Sequence, residues 1–155
     1  MIPERAKPAQ LVDGVRGKAN VARHRPLEDQ YLKTPHIAVI DDDDSVREAM
    51  KNLVAVLGYS VEAFASAEAF LGSDRLPATD CVITDVHMPG MSGADLQRRL
   101  SAAGNRTPII FVTAFPDETT RARVLREGAI GYLYKPLREE SLLDCLARAL
   151  PTGAA

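Results

Sequence analysis

From His36 onward, apolar runs of strand length alternate with amphipathic stretches of helix length, and that alternation leaves few folds open to the chain. The runs lie at 36–40, 60–64, 80–84, 108–112 and 131–134. Each is too short for a buried helix and is followed by a segment with helical periodicity. Five βα units follow. Strands that alternate with helices in this way form a parallel sheet with helices on both faces, joined by right-handed crossovers. The predicted architecture is α/β: a doubly wound five-stranded parallel sheet, most simply with strand order 2-1-3-4-5.

The helical stretches differ in how firmly they can be anchored. In the first, Val46, Met50, Leu53, Val54 and Leu57 make one apolar stripe that ends at Gly58, a C-terminal cap. The third carries Leu96, Leu100 and Ala103, and the fifth Leu142, Leu143, Leu146, Ala149 and Leu150. The fourth, at 117–127, has only Ala122 and Leu125 for a stripe and carries Arg121, Arg123 and Arg126. It is therefore expected to sit lightly on the sheet and to be the most movable helix.

A chain of 155 residues has room for one domain of ordinary size. The predicted organisation is an N-terminal extension at 1–35, the α/β domain at 36–150 and a short tail at 151–155. The extension holds Pro3, Pro8, Pro26 and Pro35 and lacks sustained periodicity, so it is read as flexible. It carries seven basic and four acidic residues, a charge of +3 that leaves −5 for the rest. Its basic bias suits either a solvated arm or a contact with a partner or with the acidic domain. The whole chain, at −2, has no basic excess of the kind that nucleic acid or an anionic membrane attracts. Cys81 and Cys145 both lie in apolar stretches and read as buried free thiols. With no apolar run approaching the ~20 residues of a membrane span and no secretory leader, the expected location is cytoplasmic.

In an open α/β sheet, ligands bind beyond the carboxyl ends of the strands where strand order reverses, here between the first and third strands. The sequence puts carboxylates there: Asp41 and Asp42 after the first strand and Asp85 after the third. Three acidic groups at one rim repel one another unless a hard cation with oxygen ligands neutralises them. Mg²⁺ suits that donor set, with Mn²⁺ as a substitute. Part of the 41–44 run also serves as a helix cap, through Asp43, Asp44 or Ser45. Thr113 stands at the end of the fourth strand and Lys135 at the end of the fifth, followed directly by Pro136. A hydroxyl donor and an ammonium beside an acidic rim are the groups needed to hold the oxygens of a phosphoryl group on a neighbouring carboxylate.

Four segments carry a resemblance. Ile37-Ala-Val-Ile-Asp-Asp-Asp-Asp-Ser-Val-Arg47, Ile83-Thr-Asp-Val-His-Met-Pro-Gly-Met-Ser-Gly93, Val112-Thr-Ala114 and Gly131-Tyr-Leu-Tyr-Lys-Pro136 resemble the successive signatures of response-regulator receiver domains in two-component signalling. The likeness covers 36–150 in order, and the fold it implies is a flavodoxin-like three-layer sandwich. The stretch Phe64-Ala-Ser-Ala-Glu-Ala-Phe-Leu71 is most similar to the receivers of nitrogen-fixation-type transcriptional regulators. The resemblance implies that Asp85 is the phosphoacceptor and that Asp41, Asp42, Asp85 and the backbone carbonyl of His87 serve the metal. It also implies that Thr113 is the switch hydroxyl, that Lys135 contacts the phosphoryl group, and that Tyr132 is the rotating aromatic. The Lys135–Pro136 bond is expected to be cis, and His87 and Phe115 stand at the two positions that tune phosphoryl lifetime.

The predicted function is a stand-alone phosphoacceptor module that takes a phosphoryl group from a sensor histidine kinase or a histidine phosphotransfer protein. Its switch then acts on the face of the fourth helix, fifth strand and fifth helix, which binds an output protein not identifiable from sequence. No direct DNA binding and no membrane contact are expected. It helps catalyse its own phosphorylation and dephosphorylation without being an enzyme of diffusible substrates. The alternative is a Mg²⁺-dependent phosphatase with an aspartyl nucleophile, like the haloacid-dehalogenase enzymes. Those carry a second Asp two residues after the first, where this chain has His87.

Overall fold

The strands form along the apolar runs of the sequence, and a computed structural model describes their arrangement over residues 34–150. The elements are β1 His36–Ile40, α1 Asp44–Val56, β2 Ser60–Phe64, α2 Ala67–Leu71, a 3₁₀ turn Leu76–Ala78, β3 Cys81–Asp85, α3 Gly93–Ala102, β4 Ile109–Thr113, α4 Glu118–Arg126, β5 Gly131–Tyr134 and α5 Glu139–Ala149. All five strands pair in parallel, in the order β2-β1-β3-β4-β5. This is the predicted doubly wound sheet. Residues 1–33 of the predicted 1–35 extension and the tail at 151–155 lie outside the described residues.

Successive strand residues point to opposite faces, and the chain uses both. Ile37, Val39, Cys81, Ile83, Ile110 and Val112 pack with Met50 and Val54 of α1 and with Leu142, Cys145 and Leu146 of α5. Ala38, Ile40, Val82, Ile109, Phe111 and Tyr132 pack with Phe70 of α2, Leu96 and Leu100 of α3 and Val124 of α4. Cys81 and Cys145 are free and buried.

Two strands begin and end one residue later than the hydrophobic runs suggest, at 81–85 and 109–113. Asp80 is spent on the strand entrance: its carboxylate accepts the His36 N–H at 2.8 Å, and its own N–H donates to the His36 carbonyl at 2.8 Å. Pro108 has no N–H for the ladder and contributes only its carbonyl, which accepts from Val82 N–H at 2.9 Å. Asp85 is thus the last residue of its strand rather than the first of a loop, and Thr113 ends its strand as expected. Lys135 follows β5, which ends at Tyr134.

Helix anchoring also departs from expectation. In α4 the buried residue is Val124, with Leu125 half-buried and Ala122 exposed. The stripe was masked by the arginines on either side of it. One fully buried valine contributes about 1.5–3 kcal/mol, so α4 remains lightly held. Ala103 is exposed because it is the C-cap of α3, and Leu143 is exposed on the outer side of α5. Among the described residues, no helix is long and apolar enough to cross a membrane.

Candidate functional site

β1 and β3 are hydrogen-bonded neighbours whose chains turn away to opposite faces, and the carboxylates collect at that parting. Asp41, just past β1, is fully buried. Its Oδ1 accepts the Asp43 N–H at 2.9 Å, while the Arg47 guanidinium donates to its backbone carbonyl at 2.8 Å. Asp42 beside it is exposed, and Asp43 caps α1 by accepting the Val46 N–H at 3.0 Å. Asp85 closes β3, and its Oδ1 accepts the His87 N–H at 3.2 Å. A close approach shapes its loop. A Cβ on Gly93, the first residue of α3, would lie 2.3 Å from the Asp85 carbonyl oxygen and 3.0 Å from the Phe111 ring, so only glycine fits.

Asp41, Asp42 and Asp85 each offer an oxygen within 4.8 Å of the others. From across the sheet, Lys135 Nζ donates to Asp41 Oδ2 at 2.7 Å and to Asp85 Oδ2 at 3.0 Å. One ammonium against three carboxylates leaves a surplus of negative charge in a partly buried site. An all-oxygen donor set with that surplus fits a small hard divalent cation.

The protonation balance reflects the same crowding. Burial pushes the Asp85 carboxyl above its usual range, and Asp41 adds to the rise, while the Lys135 hydrogen bond works against it. Burial alone would lower Lys135, but its hydrogen bonds to Asp41 and Asp85 outweigh that and hold the ammonium above its ordinary value. The Lys135–Pro136 peptide is cis.

The remaining predicted residues line a path away from the carboxylates. Thr113 is fully buried at the end of β4, and its hydroxyl oxygen accepts the Phe115 N–H at 3.0 Å. Tyr132 is turned inward, with its ring in the core beside Val124 and Phe111, and its hydroxyl oxygen accepts the Asp117 N–H at 3.2 Å. Tyr134, two residues on, is exposed and meets the Tyr132 ring edge-on at 6.1 Å. His87 and Phe115 both stand exposed, Phe115 at 74 %.

Three contributors carried no sequence signal as site residues. Arg47 holds the Asp41 backbone. Gln97 is buried in α3 and donates from Nε2 to the Val124 carbonyl at 2.9 Å. Glu68 accepts the Met91 N–H at 2.9 Å. The partners of Gln97 and Glu68 are 27 and 23 residues away, beyond the reach of any local pattern.

Comparison with known proteins agrees with this geometry. Residues 37–147 match the family model described as the response regulator receiver domain. The chain is 43% identical over 114 residues to the response regulator protein TodT of Pseudomonas putida, an alignment that covers 74% of this chain and 50% of that protein. It is 35% identical over 117 residues to the transcriptional regulatory protein FixJ of Bradyrhizobium diazoefficiens, covering 74% and 56%. Among solved structures it is similar to the response regulator StyR, with TM-score 0.71 and 41% identity over 78% of this chain and 61% of that one. The crystal structure of FixJ-N gives TM-score 0.68 and 28% identity over 76% of this chain and 94% of that one. The chain spans about half the length of the curated relatives it matches.

Proposed function

The chain belongs to the response-regulator receiver family, and we propose that Asp85 is its phosphoacceptor, with Asp41, Asp42, Asp85 and the His87 carbonyl holding Mg²⁺. Membership implies an encounter with a histidine kinase or another phosphodonor. The observation that carries the finer reading is the Lys135 ammonium shared between Asp41 Oδ2 and Asp85 Oδ2. It brings a mobile positive charge to the one carboxylate of the cluster that ends a central strand.

In the proposed reaction a carboxylate oxygen of Asp85 attacks phosphorus in line. The new O–P bond forms as the P–N bond of the phosphohistidine breaks, and its electron pair returns to the imidazole nitrogen. A bound divalent cation supplies Lewis-acid neutralisation of charge on the transferring group. Lys135 is already within hydrogen-bond distance of the nucleophile and can follow the charge onto a phosphoryl oxygen. Thr113 can exchange its contact with the Phe115 amide for one to the acyl phosphate. That movement would alter the space around Tyr132 and bias the face of α4, β5 and α5.

In this reading the domain is not an enzyme of diffusible substrates. Its output is a protein contact, since 12 basic residues against 17 acidic ones in 34–150 do not attract DNA. The proposed setting is the cytoplasm, where two buried free thiols are at home. The test is chemical: after treatment with a small phosphodonor and Mg²⁺, hydroxylamine should release the label and leave a hydroxamate on the peptide that contains Asp85. A hydroxamate confined to the peptide that contains Asp41 and Asp42 would overturn the assignment.

A further inference from the structure

We infer that Glu68 of α2 is a positioning residue for metal binding at the Asp85 site, acting by clamping the loop that follows β3. The inference rests on the proposed reading of the Asp85 site as a cation site, and it adds a residue that the carboxylate cluster does not contain.

The loop from Val86 to Ser92 has to leave the sheet, carry His87 past the carboxylates and enter α3. Its two ends are secured: Val86 N–H donates to the Val112 carbonyl at 3.3 Å, and Ser92 and Asp95 form a capping box on α3. Between them the apolar anchors are Met88, buried in the core at 9% exposure, and Met91, whose side chain is partly buried against the same cluster. The polar anchor is Glu68, whose Oε2 accepts the Met91 N–H at 2.9 Å. Among the described residues, this is the one hydrogen bond that residues 88–91 make with another element.

The fit around it is close. Gly90 has φ +74, and a Cβ there would lie 2.7 Å from Glu68 Oε2, so the carboxylate fills the place that a side chain at 90 would take. Glu68 is itself held on a short helix whose first turn is capped by Ser66, which accepts the Ala69 N–H at 3.0 Å. A carboxylate accepting a backbone N–H makes a stronger bond than a neutral pair. The clamp limits the freedom of the His87–Met91 backbone, and with it the direction of the His87 carbonyl, the one proposed metal ligand that is not a side chain. Partners hydrogen-bonded directly to a metal ligand typically alter affinity about 10–100-fold when removed, and a clamp four residues along the loop from the ligand is expected at the lower end of that range.

The experiment is a calorimetric Mg²⁺ titration of the parent, Glu68→Ala and Glu68→Gln, with amide hydrogen exchange at Met91 read in parallel. Glu68→Ala should bind Mg²⁺ about tenfold more weakly and exchange faster at Met91. Glu68→Gln keeps an acceptor oxygen and should restore both. Equal Mg²⁺ affinity in the parent and Glu68→Ala would overturn the inference and leave the cation site standing. So would a Gln variant as weak as the Ala variant, which would mean that charge rather than the hydrogen bond matters. A parent that binds no Mg²⁺ would overturn the cation site and this inference with it.

Discussion

The hydroxyl oxygen of Tyr132 accepts the backbone N–H of Asp117 at 3.2 Å, joining the inward aromatic of β5 to the residue that caps α4. Val124 is the only residue of α4 that is buried, and this hydrogen bond adds a tie to the sheet at the amino end of the helix. Tyr132→Phe should keep the ring packing, lose about 0.5–1.5 kcal/mol, and speed amide exchange across the first turn of α4. Exchange unchanged there would mean that α4 is anchored elsewhere.

The same end of the sheet holds the proposed switch. Thr113→Ala retains Asp85, Asp41, Asp42 and Lys135 and should still accept a phosphoryl group. With beryllofluoride bound, the parent should change its exchange pattern over 117–134, and the variant should change less. A coupling of ~1–3 kcal/mol corresponds to roughly 5–150-fold in affinity for an output partner. A full response in Thr113→Ala would assign the switch to other groups.

Strand ends were the most legible feature of the sequence. A strand end is a local pattern, so Asp41, Asp85, Thr113 and Lys135 could be assigned to one rim from spacing alone, and the structure brings three of them together. Strand edges at Asp80 and Pro108 were misread by one residue because a carboxylate bond to His36 and a missing N–H decide them, and neither is a hydrophobicity signal. Val124 was overlooked because Arg121, Arg123 and Arg126 around it hide a one-residue contact with the core. Gln97 and Glu68 were overlooked because a polar residue becomes structural only through its distant partner.

The two thiols should be inert in the folded state. Burial, then Cys145 and Asp80 nearby, push Cys81 up to about 12, and burial also raises Cys145. Since the thiolate is the reactive form, iodoacetamide at pH 8 should add nothing to the native protein and two carbamidomethyl groups after denaturation, one for each cysteine. Rapid native labelling would contradict the packing of β3 against α5.

Asp85 should cost the fold stability. Its carboxyl is raised above the ordinary range by burial, so the folded state holds the proton more tightly than the unfolded one. The penalty for ionising it is therefore complete above the folded value and disappears as pH falls through the unfolded value, ~3.9. In metal-free buffer Asp85→Asn, which leaves Lys135 paired with Asp41, should melt higher than the parent at pH 7, with the gap shrinking toward pH 4. A variant less stable at pH 7 would reverse the sign and refute the burial argument.

Asp85 is proposed to receive the phosphoryl group in a cation-dependent reaction, and intact-mass spectrometry after exposure to a small phosphodonor reads that transfer on the whole chain. With Mg²⁺ the parent should gain the mass of one phosphoryl group. Asp85→Asn, and the parent with its divalent cations chelated, should gain none. Stoichiometric labelling of Asp85→Asn under the same conditions would place the phosphoacceptor on another residue.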